Sequence, residues 1–436
     1  MTTDARDLVS HVRQALSVER LPGHKVCVAL SGGMDSMVLL QVLVHVRTQI
    51  PITLSAVHVN HGISPNAAAW AEFCRQTCLT LDVPCEIATL PPLNAAGSGL
   101  ERAAREARYA VFSGVDADVL CMAHHQNDRA ETLLLNLFRG AGPQGLAAMP
   151  GTRFLNGKQL IRPFIDLPRD DLRTWAIAHE VRWVEDESNQ NLHFRRNYMR
   201  HVVLPAVTQQ FPGAVSVLAR TAEQMQHQNA LLARLAEIDA QTCQDQSGHL
   251  IVSRLALLPP DAIKNVLKHR LNAAGIHIPA ARRLEALVTQ ITGARADSET
   301  LVRFGETGCH LWRDRLWLDV SMTAALPAPY KLVAGSTAWP DGLLLITGSA
   351  GGMQSADRVI KPLGQGQRFQ PAGRCRGVVS ELLRAQGVPA WVRPRLPALW
   401  IDGQLAWVAE LGFSDQGNAW VEGGSLVWQA QSNKCL

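Results

Sequence analysis

The chain has 436 residues, 47% of them hydrophobic and 18% charged, which is the composition of a globular protein with two to four domains. Its formal net charge of +4 is mildly basic, so it is compatible with a nucleic-acid partner without establishing one. The first residues lack the apolar core of a signal peptide and the most apolar stretches are strand-length, which predicts a cytoplasmic protein outside membranes.

From residue 24 to about 140, strand-length apolar runs alternate with helical patterns. We predict strands over 26–30, 53–59, 84–89 and 118–123, and helices near 36–47, 66–81, 99–113 and 127–138. This alternation is typical of an α/β fold with a doubly wound parallel sheet and right-handed crossovers. In such sheets the ligand binds at the carboxyl ends of the strands, near the point where the strand order reverses.

The remainder of the chain predicts further helices and then two smaller units. Helices are expected over 170–180, 194–209, 214–240, 260–273, 279–292 and 379–386, and strands over 300–304, 308–312 and 315–320. An Ala/Pro-rich linker at 323–329 separates the two units. We therefore predict an α/β catalytic domain over 1–213, a helical and α+β domain over 214–321, and a small α+β domain over 330–436.

The first predicted strand leads into a turn and a helix made of Ser31, Gly32, Gly33, Met34, Asp35 and Ser36. Such a turn aims backbone N–H groups at one point, where the helix dipole adds positive potential. The glycines allow a phosphate to approach the backbone, and the serine hydroxyls add donors. Because Asp35 would repel a phosphate without a cation between them, we predict that it reaches Mg²⁺ on the phosphates.

A tight strand-to-helix turn without a ligand is the simpler interpretation of these glycines. The segment has neither the Gly-Lys-Ser/Thr of a Walker motif nor a G-x-G-x-x-G pattern. Its S-G-G-x-D-S pattern resembles the PP-loop of ATP pyrophosphatases. That resemblance implies binding of ATP through its pyrophosphate end and transfer of AMP to an oxygen of the substrate. We favour this interpretation and assign residues 31–36 to ATP.

Four histidines follow two strands of the predicted sheet, and they are His58, His61, His124 and His125. Four imidazoles could hold Zn²⁺, but their spacing is not diagnostic of a zinc site. We favour hydrogen bonds from these rings to a nucleotide or to the backbone.

The helix after the fourth strand begins near Asn127 and Asp128, and either residue suits the N-cap. The carboxylates of Asp128 and Glu131 are also favoured there by the helix dipole. This capping role explains much of the pattern. The functional alternative places Asp128 with Asp35 around Mg²⁺ or around the amine of a cationic substrate.

Two basic segments are candidates for contact with phosphate or RNA. Arg105 and Arg108 lie on a charged helix beside the predicted site, where a solvated surface and a phosphate contact are the alternatives. Arg195, Arg196 and Arg200 lie in a segment without acidic residues, and the last two share a helix face. A basic helix with an aromatic residue suits an RNA backbone, and we favour contact with RNA or a nucleotide over a solvated surface.

The nine cysteines include no C-x-x-C pair, which argues against a disulfide framework, a zinc ribbon or a thiol-redox pair. Cys74 and Cys78 share one face of a predicted helix, and Cys85 follows a turn. A partial metal site is the alternative, but we favour buried small hydrophobic residues.

A series of segments resembles the tRNA(Ile)-lysidine synthetase family of PP-loop enzymes. The segments are SGGMDS (31–36), VHVNHGI (57–63), ERAAREARY (101–109), HHQNDRAET (124–132), RGAGPQGLAAM (139–149), RPFI (162–165), VEDESN (184–189), RRNYMR (195–200), RFQPAG (368–373) and GVPAW (387–391). They occur in the family's order, so the resemblance covers nearly the whole chain.

The resemblance implies that ATP adenylates the C2 oxygen of the wobble cytidine in an isoleucine tRNA with a CAU anticodon. The ε-amine of free lysine then displaces AMP. Mg²⁺ would offset charge on the pyrophosphate, and a carboxylate or imidazole should take a proton from lysine. Asp128 and His58 are the candidates for that base. The second and third domains would bind the tRNA, and a homodimer is one alternative for the oligomeric state.

The chain departs from the family's pattern at two places. The family usually has Asp-Asp-Gln where this chain has Asn127, Asp128 and Arg129, which weakens any role for the first and third positions. A Lys pair before the last helix is replaced by Ser380 and Glu381, so the contacts of those lysines cannot be transferred. Arg374, Arg376 or Arg384 could substitute for them.

Three other functions fit parts of the sequence. A PP-loop tRNA thiolase normally has cysteines for sulfur transfer or an iron–sulfur cluster, often as C-x-x-C, which this chain lacks. A small-molecule amidating ligase would have a glutaminase motif or a further domain. A non-catalytic RNA-binding protein could use ATP as a structural ligand, but the set of Ser31, Asp35 and Asp128 argues against it.

Overall fold

A computed structural model describes residues 7–18, 23–62, 64–91, 98–276, 281–294, 300–304, 307–319, 328–331, 335–339, 342–348, 358–418 and 424–430. The chain divides into two units, Met1–Leu231 and Leu232–Leu436. The division falls inside a long helix, Ala214–Cys243, which was predicted over 214–240. The three-domain division stays a prediction, and most of its proposed linker, 323–327, lies outside the described residues.

A sheet with five parallel strands and one antiparallel strand forms the centre of the first unit. Its strands are β1 (Lys25–Ala29), β2 (Thr53–Asn60), β3 (Cys85–Thr89), β4 (Val119–Cys121), β5 (Thr152–Leu155) and β6 (Lys158–Ile161). Their order is β3-β2-β1-β4-β6-β5, and β5 is antiparallel to β6. The predicted doubly wound parallel sheet is thereby confirmed. The strand order reverses between β1 and β4, where a ligand is expected.

Helices connect and cover these strands. They are α1 (Asp7–Val18), α2 (Met34–Val46), α3 (Ala67–Thr80), α4 (Ser98–Gly114), α5 (Gln126–Leu137), α6 (Pro143–Leu146), α7 (Arg169–Ala178), α8 (Arg195–Tyr198), α9 (Leu204–Gln210) and α10 (Ala214–Cys243). A π-helical turn, Met199–Val203, joins α8 to α9. Among the described residues no single helix is long and apolar enough to cross a membrane. The bent pair Arg195–Gln210 and Ala214–Cys243 meets that test of length and composition only when the two are taken together.

Helix α2 is apolar around most of its circumference because it packs against β1, β2, α1 and α7. Met37, Leu39, Leu40 and Leu43 are fully buried there. Each such side chain contributes about 1.5–3 kcal/mol relative to an exposed one. The turn that begins α2 is therefore fixed to a rigid part of the core.

The second unit combines short helices with antiparallel sheets. Its helices are α11 (Val252–Leu255), α12 (Pro260–Ala273), α13 (Ala281–Thr292), α14 (Val379–Ala385) and α15 (Asp415–Asn418). Its strands are β7 (Leu250–Ile251), β8 (Thr300–Phe304), β9 (Thr307–Trp312), β10 (Arg315–Asp319), β11 (Tyr330–Lys331), β12 (Gly335–Trp339), β13 (Gly342–Gly348), β14 (Arg358–Pro362), β15 (Arg368–Phe369), β16 (Gly377–Val378), β17 (Pro397–Ile401), β18 (Gln404–Val408), β19 (Gly412–Phe413) and β20 (Gly424–Ala430).

These strands form sheets with the orders β7-β10-β9-β8, β11-β14-β17-β18-β19, β12-β13-β20 and β15-β16. Aromatic rings join the first of these sheets to the C-terminal part of the unit. The His310 ring, on β9, stacks on Trp391 with centroids 3.6 Å apart, and Trp312 meets the same ring edge-on at 6.0 Å. Within the second unit, therefore, the two predicted α+β parts are in direct contact.

Candidate active site

The turn between β1 and α2 is held by the hydroxyl groups of Ser31 and Ser36. The Ser36 hydroxyl accepts a hydrogen bond from the Ser31 N–H at 3.2 Å and donates to the Gly33 carbonyl at 2.9 Å. The two hydroxyl oxygens are 3.0 Å apart, and that of Ser31 accepts from the Gly33 N–H at 3.3 Å. The two serines therefore give the turn its shape, in addition to their predicted role as phosphate donors.

Only glycine fits at position 32, because of the backbone conformation there and because two side chains lie close to it. Its φ is +86°, and a Cβ there would lie 3.0 Å from a Val184 methyl group and 3.2 Å from the Cys74 sulfur. The Val184 N–H also donates to the Gly32 carbonyl at 3.0 Å. Gly33 has an ordinary extended backbone, so its missing side chain leaves space at the turn and is not needed for the backbone conformation.

The N-terminus of α2 is open to an anion. Gly33 occupies the N-cap and makes no side-chain capping bond. The first N–H groups of a helix have no partner inside the helix, and its dipole is positive at this end. The geometry therefore fits the predicted phosphate site at residues 31–36.

His125 is the N-cap of α5, which corrects the prediction of Asn127 or Asp128. Its Nδ1 accepts from the Asp128 N–H at 3.3 Å, and the Asp128 carboxylate accepts from the His125 N–H at 3.1 Å. Because Nδ1 accepts, the proton of the neutral ring is on Nε2. This nitrogen lies 3.4 Å from Asp128 Oδ2 and 3.6 Å from Asp35 Oδ2. One imidazole thus lies between the two carboxylates that were predicted to act together.

Three buried polar atoms meet at Asp35 without hydrogen-bond partners. Asp35 Oδ1 lies 3.5 Å from Arg169 Nε, and Asp35 Oδ2 lies beside His125 Nε2. In the part of the chain that the structure describes, Asp35 Oδ1, Arg169 Nε and His125 Nε2 are buried and make no hydrogen bond. Since buried polar groups normally have partners, these atoms leave two donors and one acceptor available to a bound group. A carboxylate fits Mg²⁺, and guanidinium and imidazole N–H groups fit phosphate oxygens.

Asp128 and Glu131, by contrast, are fully occupied by two arginines. Asp128 Oδ1 accepts from Arg196 at 2.8 Å and from Arg200 at 3.0 Å. Glu131 is 1% exposed and accepts from the Nε atoms of Arg196 and Arg200 at 3.0 and 2.7 Å. The basic helix face that was predicted to contact RNA therefore pairs with carboxylates of α5. Contact of Arg196 and Arg200 with RNA stays a prediction, whereas their contact with α5 is direct.

The shifted pKa values of Asp128, Arg196 and Arg200 keep these three side chains charged at neutral pH. Burial alone would raise the pKa of Asp128, but the neighbouring His125 and the guanidiniums of Arg196 and Arg200 outweigh it and hold that pKa well below its usual range. Burial lowers the pKa values of Arg196 and Arg200, and the neighbouring carboxylates raise them by more. Asp128 therefore remains ionised at neutral pH and is a weak proton acceptor.

Of the other predicted histidines, His58 is buried and His61 and His124 are half-buried, and the pKa of each is lowered. His58 is 5% exposed, and its Nδ1 donates to the Leu30 carbonyl at 2.9 Å because a carbonyl only accepts. Burial lowers the pKa values of His58 and His61. His124 Nδ1 accepts from Arg162 Nε at 3.3 Å, and burial lowers the pKa of His124 to about 3. The described residues contain no group of three or more ligands placed for a metal ion, so the zinc alternative gains no support.

Of the remaining predicted residues, Arg105 lies on the surface, and Cys74 and Cys78 lie in the core. The exposed Arg105 guanidinium lies over the Tyr109 ring at 5.3 Å, and the charge of Arg108 helps to lower the pKa of His61. Their phosphate contacts stay predictions. Cys74 and Cys78 are buried, as favoured, and burial raises the pKa of the Cys74 thiol to about 12.

Two positions that depart from the family's pattern connect α5 to α7. Asn127 accepts from the Arg169 N–H at 3.1 Å, and Arg129, which is 3% exposed, donates to Asp166 at 2.7 Å. Arg169 is the first residue of α7, so these contacts place its guanidinium beside Asp35. Neither Arg169 nor Glu131 was assigned to the site from the sequence. No local pattern distinguishes Arg169, and Glu131 was recognised only as a carboxylate near a helix N-terminus.

Comparison with known protein families finds matches to three parts of the chain. A PP-loop domain matches residues 6–207, a TilS substrate binding domain matches 250–317, and a TilS substrate C-terminal domain matches 360–428. The chain is 37% identical to the tRNA(Ile)-lysidine synthase of Aromatoleum aromaticum over 94% of this chain and 98% of that protein. It is 34% identical to the tRNA(Ile)-lysidine synthase of Nitrosomonas europaea over 94% of this chain and 92% of that protein.

Among solved structures, the chain is similar to the U34-tRNA thiolase NcsA from Methanococcus maripaludis. The sequence identity is 20% and the TM-score is 0.43, over 51% of this chain and 79% of that one. This likeness is too distant to bear on function.

Proposed function

The chain belongs to the tRNA(Ile)-lysidine synthase family, and from this premise we propose that it uses ATP, Mg²⁺ and free lysine to convert the wobble cytidine of a CAU-anticodon isoleucine tRNA to lysidine. The observation that carries the proposal is the set of unpartnered buried atoms around Asp35, Arg169 and His125. These atoms lie at the uncapped N-terminus of α2, where the pyrophosphate end of ATP would bind.

We assign Mg²⁺ to Asp35, whose Oδ1 atom is buried and has no hydrogen bond among the described residues. When bound, Mg²⁺ would offset the charge that develops on the leaving pyrophosphate. Asp128 was predicted to share this ion, but Arg196, Arg200 and the His125 N–H already occupy its oxygens. We therefore propose that Asp128 positions His125 and α5, and that it does not ligate the metal.

In the first step, the cytidine C2 oxygen would attack the α-phosphorus of ATP, and the bond from this phosphorus to pyrophosphate would break. The backbone N–H groups at the start of α2 and the Arg169 guanidinium would stabilise the negative charge on pyrophosphate. Ser31 and Ser36 would keep these N–H groups in place through their mutual hydrogen bonds. The site would therefore favour charge on the leaving group over charge on the substrate base.

In the second step, the lysine ε-amine would form a bond to C2 while the bond from C2 to the AMP oxygen breaks. The ammonium must first lose a proton. Of the two predicted bases, Asp128 has a lowered pKa and occupied oxygens, which leaves it little capacity to accept a proton. The neutral His58 ring donates through Nδ1 and keeps Nε2 as an acceptor, so we propose His58 as the base.

Arg105, Arg108 and Arg195 are the residues that we propose for contact with tRNA phosphates. The guanidinium groups of Arg105 and Arg195 are exposed, and Arg195 is the neighbour of an arginine that is already paired. The domains matched downstream would hold the rest of the tRNA. Domain matches specific to lysidine synthases support this function over the thiolase alternative.

Incorporation of labelled lysine into a CAU-anticodon isoleucine tRNA transcript tests the proposal. We expect labelling that requires ATP and Mg²⁺ and that falls at least ~100-fold in Asp35→Ala. The matched control is Asp116→Ala, because Asp116 is an exposed aspartate that pairs with Lys25 on the surface. Failure of the folded parent to label any tRNA would reject the lysidine function. Normal labelling by Asp35→Ala would reject the role of Asp35.

A further inference from the structure

A surface groove of about 330 Å³ lies at the end of α5, away from the Asp35 site. Its walls come from the end of α5 and from residues 192–199. Leu135, Phe138, Leu192 and Tyr198 supply the apolar surface, and Arg139 and Arg195 supply positive charge.

The groove exposes large apolar side chains that a folded protein usually covers. Phe138 is 67% exposed, Leu192 is 48% exposed and Tyr198 is 44% exposed. Single exposed apolar residues are common, but a cluster of them around one concavity marks a binding surface. Two of these three residues are aromatic, and an aromatic face can stack on any nucleobase.

The charge of the groove favours an anionic partner. Arg139 and Arg195 line it, and the lining contains no acidic residue. Within the described residues, no carboxylate lies within ion-pair distance of either guanidinium. Arg196 and Arg200, on the neighbouring face, are instead paired with Asp128 and Glu131. The same short segment thus presents two neutralised arginines to the site and one unneutralised arginine to the groove.

The distance between the groove and the proposed active site matches the length of a few nucleotides. Asp128 is in the first turn of α5 and Phe138 follows its last residue, so about 15 Å of helix separates them. At about 3.4 Å per stacked nucleotide, a few nucleotides span that length. Met199 packs against Ala130 and Leu134, which fixes the segment of the groove to the helix of the site.

We propose that the groove stacks an unpaired base of the tRNA, a few nucleotides away from the reacting cytidine, between Phe138 and Tyr198. Arg139 and Arg195 would contact the adjoining phosphates. Sequence-specific recognition of RNA normally uses single-stranded loops whose bases stack on aromatic side chains. The inference rests on the proposed function, since a CAU anticodon lies in such a loop.

The test uses the full-length Phe138→Ala and Tyr198→Ala variants and measures the Kd for the tRNA transcript and the KM values for tRNA, ATP and lysine. Loss of one stacking ring should weaken tRNA binding roughly 5- to 150-fold and leave the KM values for ATP and lysine unchanged. Phe154→Ala is the matched control, because Phe154 is 76% exposed on β5, outside the groove. It should bind tRNA like the parent.

Two further variants separate stacking from simple apolar burial. Phe138→Tyr should retain binding because it keeps a π face, whereas Phe138→Leu should weaken binding like the alanine variant. Arg139→Gln should weaken binding of all RNA sequences and reduce the slope of log Kd against log salt by about one.

Unchanged tRNA affinity in folded Phe138→Ala and Tyr198→Ala would overturn the proposal. So would dissociation of a dimer by Phe138→Ala without a change in tRNA affinity, since the groove would then bind a second copy of the chain. Direct binding distinguishes this failure from failure of the proposed function. A parent that binds tRNA but forms no lysidine would reject only the reaction, and weaker binding by the ring variants would still support the groove.

Discussion

Two sides of the proposed active site, separated by the ring of His125, differ in how completely their polar groups are satisfied by hydrogen bonds. On one side, Asp128 and Glu131 accept hydrogen bonds from Arg196 and Arg200 at 2.7–3.1 Å. On the other side, atoms of Asp35, Arg169 and His125 are buried without hydrogen bonds among the described residues. Both sides contain carboxylates and guanidiniums, so residue type does not explain the difference.

From this comparison we propose a division between residues that build the site and residues that receive the ligand. A buried charge without a partner is costly, and a protein retains such groups where a substrate or ion completes them. The paired side should therefore matter chiefly for stability, and the unpaired side chiefly for activity.

Removal of charge from the paired side should destabilise the protein most. Glu131→Gln leaves the half-buried guanidiniums of Arg196 and Arg200 with Asp128 alone, and removing the buried partner of such a charge pair costs about 3 kcal/mol or more. Urea denaturation of the parent and the variant measures the loss in the free energy of unfolding.

The matched control for this variant is Glu72→Gln. Glu72 pairs with Arg75 on the surface of α3, where both side chains are about half exposed. Solvent screening makes such pairs weak, so the control should unfold close to the parent. Equal stability of Glu131→Gln and the parent would show that the cluster does not hold the site together.

The paired side was also the harder one to predict from the sequence. Glu131 and its arginine partners are 65 to 69 residues apart in the chain, and no periodic pattern connects such distant positions. The RNA interpretation of Arg196 and Arg200 followed from the absence of acidic residues nearby in sequence. Their acidic partners come from α5, which only the fold brings against this segment.

The strand, turn and helix at residues 25–46 were predictable because the signals are local. An apolar run, two glycines and an apolar stretch of helical length fix β1, the turn and α2 without reference to the rest of the chain. Helix α1 and the hairpin of β5 and β6 were not predicted. The sequence did carry a signal for this hairpin, which is the pair Asn156 and Gly157. Both residues have positive φ in the two-residue turn, as this pair favours.

Acid should weaken the fold through His124, beside the paired side. The pKa of His124 is lowered to about 3 in the folded chain, against about 6.5 in an unfolded one. Between these values the unfolded chain binds a proton that the folded chain does not, so stability falls as pH decreases from about 6.5 towards 3.

The variant His124→Asn keeps an acceptor for Arg162 and removes the titration. It should therefore lose less stability than the parent between pH 6.5 and pH 4, by an amount on the order of a few kcal/mol. Urea denaturation at several pH values measures this slope. The same change at the exposed His227 is the control and should leave the slope unaltered. A parent-like slope in His124→Asn would assign the acid sensitivity to another group.

On the unpaired side, Arg169→Gln should change activity and leave stability nearly untouched. Arg169 Nε lies 3.5 Å from Asp35 Oδ1 and makes no hydrogen bond in the described residues, so its replacement removes only a partly exposed ion pair, which contributes little to stability. A lost charge-assisted bond to phosphate should raise the KM for ATP roughly tenfold or more, with the KM for lysine unchanged. Arg173→Gln, at an exposed position one turn along α7, is the control. If Arg169→Gln instead lowered the free energy of unfolding as Glu131→Gln is expected to do, the unpaired atoms would belong to the scaffold and the two sides of the site would not differ in kind.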